Sequence, residues 1–280
     1  MGTFPCSMAK QLEGTTAVGP GPSPGTVSKR LQGTAALVTG ASSGIGEATA
    51  LALAAEGAEV ALVARRGDRL DEISKQIEAL GVRALVLEAD ITDGRQAREV
   101  VEKAVGRFGH LDTLVNNAGL MLLGPIPEAD VSEWMRMIEI NLVALMRTTH
   151  AAIPHLLRAA EDGPRKVADL INISSVAGRT ARAGAGAYNA TKWGVNAFSE
   201  ALRQELTRRH VRIAVVEPGM VATELQSHNR PEIMERLRAG MQIESPLQAS
   251  DIADAITYIV TRPRHVAINE MLIRPTEQER

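Results

Sequence analysis

The 280-residue chain has a single cysteine, Cys6, so it can form neither an internal disulfide nor a cysteine-rich zinc site. Aromatic residues are scarce, and only Tyr188 and Tyr258 are tyrosines, so a tyrosine inside a motif carries weight. No charge of one sign dominates: 31 Lys+Arg oppose 33 Asp+Glu, a net of -2, and no strong field would draw nucleic acid or an anionic membrane. No apolar run approaches the roughly 18 residues that cross a bilayer. Residues 1–17 lack the basic start and continuous apolar stretch of a signal peptide. A mitochondrial leader would be richer in Arg and free of acids such as Glu13. These absences imply a soluble, cytoplasmic protein with no nucleic-acid or membrane partner and no metal.

What is present is a sizeable core. Hydrophobic residues make up 45% of the chain, which argues against global disorder. The length allows one open α/β sheet of about 250 residues. Residues 15–25 read TTAVGPGPSPG and have little to bury, so residues 1–30 are expected as a flexible Gly/Pro-rich tail and 31–280 as one domain. We find no internal repeat. Short β-branched runs at 35–39, 59–64, 84–87, 113–116, 170–173, 212–216 and 270–273 alternate with amphipathic helical patterns at 46–56, 68–79, 96–108, 132–148, 188–208 and 249–260. Strands this apolar suit a parallel sheet covered on both faces. The alternation predicts an α/β, single-domain, doubly wound seven-stranded sheet with right-handed crossovers. Ligands of such sheets bind beyond the carboxyl ends of the strands.

The first strand runs into Gly40-Ala41-Ser42-Ser43-Gly44-Ile45-Gly46 and then a helix. A glycine-rich turn before a helix N-terminus brings backbone N–H groups and a positive dipole end close to an anion, here the phosphates of a dinucleotide. The spacing is Gly-x3-Gly-x-Gly rather than the commoner Gly-x-Gly-x-x-Gly, and a plain strand–helix turn is the alternative. The second strand ends in Ala64-Arg65-Arg66, where an NAD-binding chain would carry an acid. The two arginines can neutralise a 2′-phosphate, which points to NADP(H); two solvated arginines ahead of a helix cap at Asp68 are the alternative. Tyr188 and Lys192 stand four apart on a helical pattern and so share one face. An ammonium beside a phenol favours phenolate and tunes it for acid–base work, although one such pair alone could be coincidence.

Residues 39–46 (TGASSGIG), 116–119 (NNAG), Asn141, Ser174-Ser175, Tyr188-x3-Lys192 and Pro218-Gly219 follow one another with gaps that resemble the short-chain dehydrogenase/reductase family. The likeness runs from about Leu31 to the C-terminus, and is to the NADP-preferring branch whose chains reach about 250 residues. It implies a Rossmann fold in which Tyr188 is the general acid for a carbonyl oxygen during hydride transfer from nicotinamide C4. Lys192 would lower the phenol's pKa and hold the nicotinamide ribose. Ser175, thirteen residues before Tyr188, would bind the substrate oxygen. Asn141 would anchor a water linking Lys192 to solvent. The same resemblance places Asp90 and Ile91 at the adenine, Asn117, Ala118 and Gly119 beside the cofactor, and Pro218, Gly219 and Thr223 near the carboxamide. Asp90 could equally cap the next helix, as could Thr92 or Asp93.

Family pocket walls would come from residues 120–125, 176–187 and 221–247, with Leu120–Leu123, Met220, Leu225, Ile233, Met234 and Met241 forming an apolar, adaptable lining. Arg179 and Arg182, between Ser175 and Tyr188, are candidates to pair with a substrate carboxylate, against the alternative of solvated arginines. LMLLGP after NNAG, AGR-x2-AR before Tyr188 and the ending INEMLIRPTEQ resemble clavulanic acid (clavaldehyde) dehydrogenases and NADP-dependent 3-hydroxy acid dehydrogenases. The implied activity is an NADP(H)-dependent carbonyl reductase or alcohol dehydrogenase acting on a small to medium aldehyde or ketone. A 3-oxoacyl-type reductase ranks lower, because residues 267–274 lack the expected Gly-Gly strand. A non-catalytic nucleotide-binding protein would be expected to have lost Tyr, Lys or Ser, and a sugar-nucleotide epimerase would have a larger C-terminal domain. The resemblance also implies a homotetramer or homodimer, with Phe198, Leu202 and Leu206 either at that interface or simply in the core.

Overall fold

In the computed structural model, residues 29–240 and 243–279 are described, in backbone alone over 236–240. The tail expected at 1–30 lies outside them up to residue 28. Seven strands form one parallel sheet: β1 (Ala35–Thr39), β2 (Glu59–Ala64), β3 (Ala84–Glu88), β4 (Thr113–Asn116), β5 (Ala168–Ile173), β6 (Val211–Pro218) and β7 (Glu270–Ile273). Their order is β3-β2-β1-β4-β5-β6-β7, all pairs parallel. The chain reverses direction across the sheet between β1 and β4, and a crevice opens there beyond the strand ends.

The helices are α1 (Gly44–Ala55), α2 (Gly67–Ala79), α3 (Gly94–Phe108), α4 (Val131–Ile138), α5 (Ala144–Asp162), α6 (Gly186–Leu206), α7 (Pro231–Gly240) and α8 (Ala249–Val260). Strand alternation sorts the core into two layers. Ala35 and Leu37 of β1 pack with Val101 and Ala104 of α3, Leu156 of α5 and Leu206 of α6. Ala36 and Val38 turn to the other face, against Leu53 of α1, Ile73 of α2 and Ile256 of α8. This is the expected doubly wound α/β fold, of Rossmann type. Leu202 and Leu206 are buried in the first layer and Phe198 packs against it, so these three are core residues rather than a free face.

Two expectations on helices are corrected. The helix expected at 132–148 is instead α4, a π-turn at Glu139–Val143, and α5, which continues through Pro154 to Asp162. The wider turn lets Asn141 leave the helix register and bond elsewhere, a use typical of π-bulges at sites. The cap of α2 is Arg66, and Asp68 lies in its first turn. Among the described residues no helix is long and apolar enough to cross a membrane.

Candidate active site

A cleft of about 780 Å³ runs beyond the carboxyl ends of the central strands. Gly40, Ser42, Ser43, Gly44 and Ile45 line one part of it, and Ser175, Tyr188 and Lys192 another. The glycine loop is held by close backbone approach. Gly40 has φ +66°, and a Cβ there would come within 2.8 Å of Ala118 Cα. A Cβ on Gly46 would lie 2.5 Å from Asn117 Nδ2 and closer still to the Gly40 carbonyl, so Gly46 is a packing residue behind the cleft wall. Asn117 Nδ2 donates to the Thr39 and Gly40 carbonyls at 3.0 and 3.2 Å, fastening the loop to β4. Ser43, at the cap of α1, makes no side-chain capping bond, so the first-turn N–H groups remain available to an anion.

Arg66 sits over this loop, donating from Nη2 to Ser43 Oγ at 2.7 Å and from Nε to Ser42 Oγ at 3.2 Å. Its Nη1 also reaches Glu224 at 3.0 Å, an acid that sequence reasoning missed. The Ser43 hydroxyl and then the Arg66 guanidinium hold the Glu224 carboxyl below its usual range. Arg65 lines the same cleft and has no ion pair among the described residues. Asp90 and Ile91 line it too. Asp90 accepts from Thr92 N and Oγ1, while Asp93 takes the cap of α3, accepting from Arg95 N and Gln96 N. Of the Asn117–Gly119 turn, all three residues face the cleft, as do Pro218, Gly219, Met220 and Thr223 after β6.

At the other end, the first turns of α6 place Tyr188 and Lys192, each 6% exposed, beside Ser175. Ser175 caps the short turn Val176–Gly178 by accepting from Ala177 N at 3.1 Å, and its hydroxyl donates to the Pro218 carbonyl at 3.5 Å. Ser174 turns away and donates to the Lys192 carbonyl. Lys192 Nζ donates to the Ile173 carbonyl at 2.8 Å and lies 5.8 Å from the Tyr188 ring centre. Burial pushes the phenol up to about 12, only partly opposed by Ser175, and lowers Lys192 to about 8. Lys192 is not among the causes of this shift: burial raises the phenol and Ser175 alone opposes it. At neutral pH the phenol keeps its proton, the form that can donate one.

Three expected site residues lie off the cleft wall: Gly46, Asn141 and Arg179. Asn141 accepts from Leu120 N at 2.7 Å and donates from Nδ2 to Leu120 O and Thr191 Oγ1. Both amide hydrogens are thus engaged, and the side chain ties the Leu120 loop to α6 between Tyr188 and Lys192. Arg179 is corrected outright. Its guanidinium is held by the buried Glu217 at 2.6 Å and by Glu270, so it buttresses the Ser175 turn against β6 and β7 and does not line the cleft. Arg182 does line the cleft, exposed and without an ion pair among the described residues.

Leu120, Met121, Leu123, Met220 and Leu225 form the expected apolar lining. Leu122 instead packs with Met137 and Tyr188, Ile233 and Met234 are not on the wall, and Met241 is outside the described residues. Gln278, from beyond β7, lines the cleft without any sequence signal to announce it.

A glycine loop, a buried Ser–Tyr–Lys group and a crevice at the sheet reversal define a nucleotide-dependent oxidoreductase of the short-chain type. The model of the short chain dehydrogenase family matches residues 34–233, and the chain belongs to that family. An uncharacterised oxidoreductase of Staphylococcus epidermidis is 35% identical over 233 residues, 83% of this chain and 93% of that one. An alcohol dehydrogenase of Thermococcus sibiricus, solved with 5-hydroxy-NADP, superposes with a TM-score of 0.78 at 29% identity, covering 88% of this chain and 98% of that one. A short chain dehydrogenase of Burkholderia cenocepacia, solved with NADP, gives 0.76 at 30% identity over 87% and 97%.

Proposed function

We propose that the chain is an NADP(H)-dependent reductase of a small to medium aldehyde or ketone, working in reverse as an alcohol dehydrogenase. The carrying observation is one continuous cleft with Ser42–Ile45 and Arg66 on its wall at one part and Ser175, Tyr188 and Lys192 at another. The residues suit a phosphorylated dinucleotide: first-turn N–H groups of α1 and the glycines would take the diphosphate, and Arg65 with Arg66 the 2′-phosphate. NADP in the two solved relatives supports the same reading. Bound nicotinamide would supply the hydride. Ser175 and Tyr188 would both donate to the carbonyl oxygen, and the phenol proton moves to that oxygen as it gains charge. Lys192, lowered to about 8, exchanges a proton close to neutral pH and would hold the nicotinamide ribose. Asn141 acts through Leu120 and Thr191, keeping the α6 turn in place.

The apolar lining favours an organic carbonyl, and the unpaired Arg182 at the rim favours one that carries a carboxylate. Exposed Met146 on α5, Trp193 on α6, Tyr258 on α8 and Leu272 on β7 support assembly into a homotetramer or homodimer. The test is oxidation of NADPH against NADH with a panel of carboxylated and neutral carbonyls, for the natural chain and Tyr188→Phe. NADPH-selective turnover, lowered about 10²- to 10⁴-fold by the substitution, is expected. Turnover that survives Tyr188→Phe overturns the assignment of the acid, and preference for NADH overturns that of Arg65 and Arg66.

A further inference from the structure

The segment after β6 leaves the sheet, forms the cleft wall from Met220 to His228, passes through α7 and returns at Leu247. Its neck is closed by a bridge between Val221 and Leu247, with Leu247 N donating to Met220 O at 3.0 Å and Ala222 N to Leu247 O at 2.8 Å. The chain beyond β7 then crosses this neck. Gln278 Oε1 accepts from Met220 N at 2.8 Å, at the outgoing end. Glu277 Oε2 accepts from Glu244 N at 2.7 Å and Ser245 N at 3.4 Å, at the returning end. Neighbouring carboxyl-terminal residues thus bind both ends of one excursion.

The contact is built into the backbone. A Cβ on Gly219 would meet Gln278 Oε1 and come within 3.2 Å of Pro275 Cδ, so glycine at 219 lets the glutamine lie close against the backbone here. Gln278 N donates to Pro275 O at 3.0 Å, folding the tail into a turn that aims its side chain at Met220. Gln278 itself lines the cleft that holds Tyr188.

We propose that residues 275–279 form a clasp that sets substrate specificity, with Gln278 and Glu277 as positioning residues. They fix where Met220 and residues 244–245 stand, and with them the cleft wall from Met220 to His228. This inference rests on the cleft being a carbonyl reductase site for its kinetic consequence, and on the contacts alone for its mechanical one.

The test compares the full chain with Gln278→Ala, Glu277→Ala, Gln278→Glu and a chain ending at Thr276. Without any cofactor, limited trypsin digestion reads cleavage after Arg236 and Arg238 within the excursion. Losing the neutral hydrogen bond from Met220 N in Gln278→Ala should speed cleavage at least about 2- to 12-fold, and losing the bonds to the Glu277 carboxylate should speed it further, while the melting temperature of the whole fold moves little. With the best carbonyl of the panel, Gln278→Ala should raise KM by a similar factor, leaving NADPH affinity by fluorescence titration and kcat nearly unchanged. Gln278→Glu keeps an acceptor oxygen for Met220 N and should restore both. Unchanged cleavage in all variants overturns the clasp. Faster cleavage with unchanged KM overturns its role in specificity. If no carbonyl turns over, that failure counts against the reductase reading, and digestion alone decides the clasp.

Discussion

Replacing Arg66 by alanine should sharply weaken cofactor preference while sparing the fold. The guanidinium is half-exposed, donates to Ser42 and Ser43 on the glycine loop and pairs with Glu224 at 3.0 Å. Hydrogen bonds to a charged group contribute about 1.5–3 kcal/mol, which is roughly 10- to 150-fold in binding. NADPH affinity should fall by that factor, and NADH affinity by less than about threefold, since no 2′-phosphate is involved. The 2′-phosphate must also compete with Glu224 for the same cation. An exposed pair of this kind is worth about 0.2–1 kcal/mol. Glu224→Gln should therefore tighten NADPH by up to about fivefold and leave NADH unchanged. Equilibrium titration of cofactor fluorescence at fixed ionic strength reads all four numbers without turnover. Equal losses for NADPH and NADH in Arg66→Ala would show that Arg66 supports the loop and reads no phosphate. Looser NADPH binding in Glu224→Gln would show that the acid orders Arg66 and does not compete with the ligand.

Lys192→Met should abolish turnover and yet stabilise the fold at neutral pH. Lys192 stands at about 8 when folded and at its ordinary 10.5 when unfolded, a penalty of about 3 kcal/mol from which the lost bond to Ile173 takes back about 1. Folded chain binds fewer protons than unfolded chain between pH 8 and 10.5, so natural stability rises with pH in that window and the variant's advantage shrinks. Urea melts at pH 7 and pH 10 measure both, and a variant less stable at pH 7 would contradict the burial penalty. Gly46→Ala should empty the cofactor site or unfold the loop, because the new methyl meets Asn117 and the Gly40 carbonyl; unchanged NADPH titration would refute the close approach. Trp193→Glu places a charge on an exposed apolar position of α6 and should lower the mass seen by light scattering, whereas a monomeric natural chain would refute the interface.

The elements themselves were legible in the residues, because they depend on near neighbours. β-branched runs between helical patterns located all seven strands within a few residues, and the glycine spacing marked the loop that must approach Ala118 and Asn117. Tyr188 and Lys192 share a face by helical geometry alone. What lay hidden depends on partners far along the chain. Arg179 reads like a substrate contact until β6 brings Glu217 beneath it and β7 brings Glu270. The π-turn at Asn141 follows from bonds to Leu120 and Thr191, which no local propensity encodes. Glu224 faces Arg66, and Gln278 faces Met220, only because the excursion after β6 folds back over the sheet. The sense of the Tyr188 shift was decided in the same way. Sequence places an ammonium near the phenol, but the enclosing walls remove the water that would have solvated phenolate, and that desolvation raises the phenol. Local pattern thus determines which elements form and which face carries the chemistry, whereas charge pairing and desolvation are set by through-space distance, which only the packed chain defines.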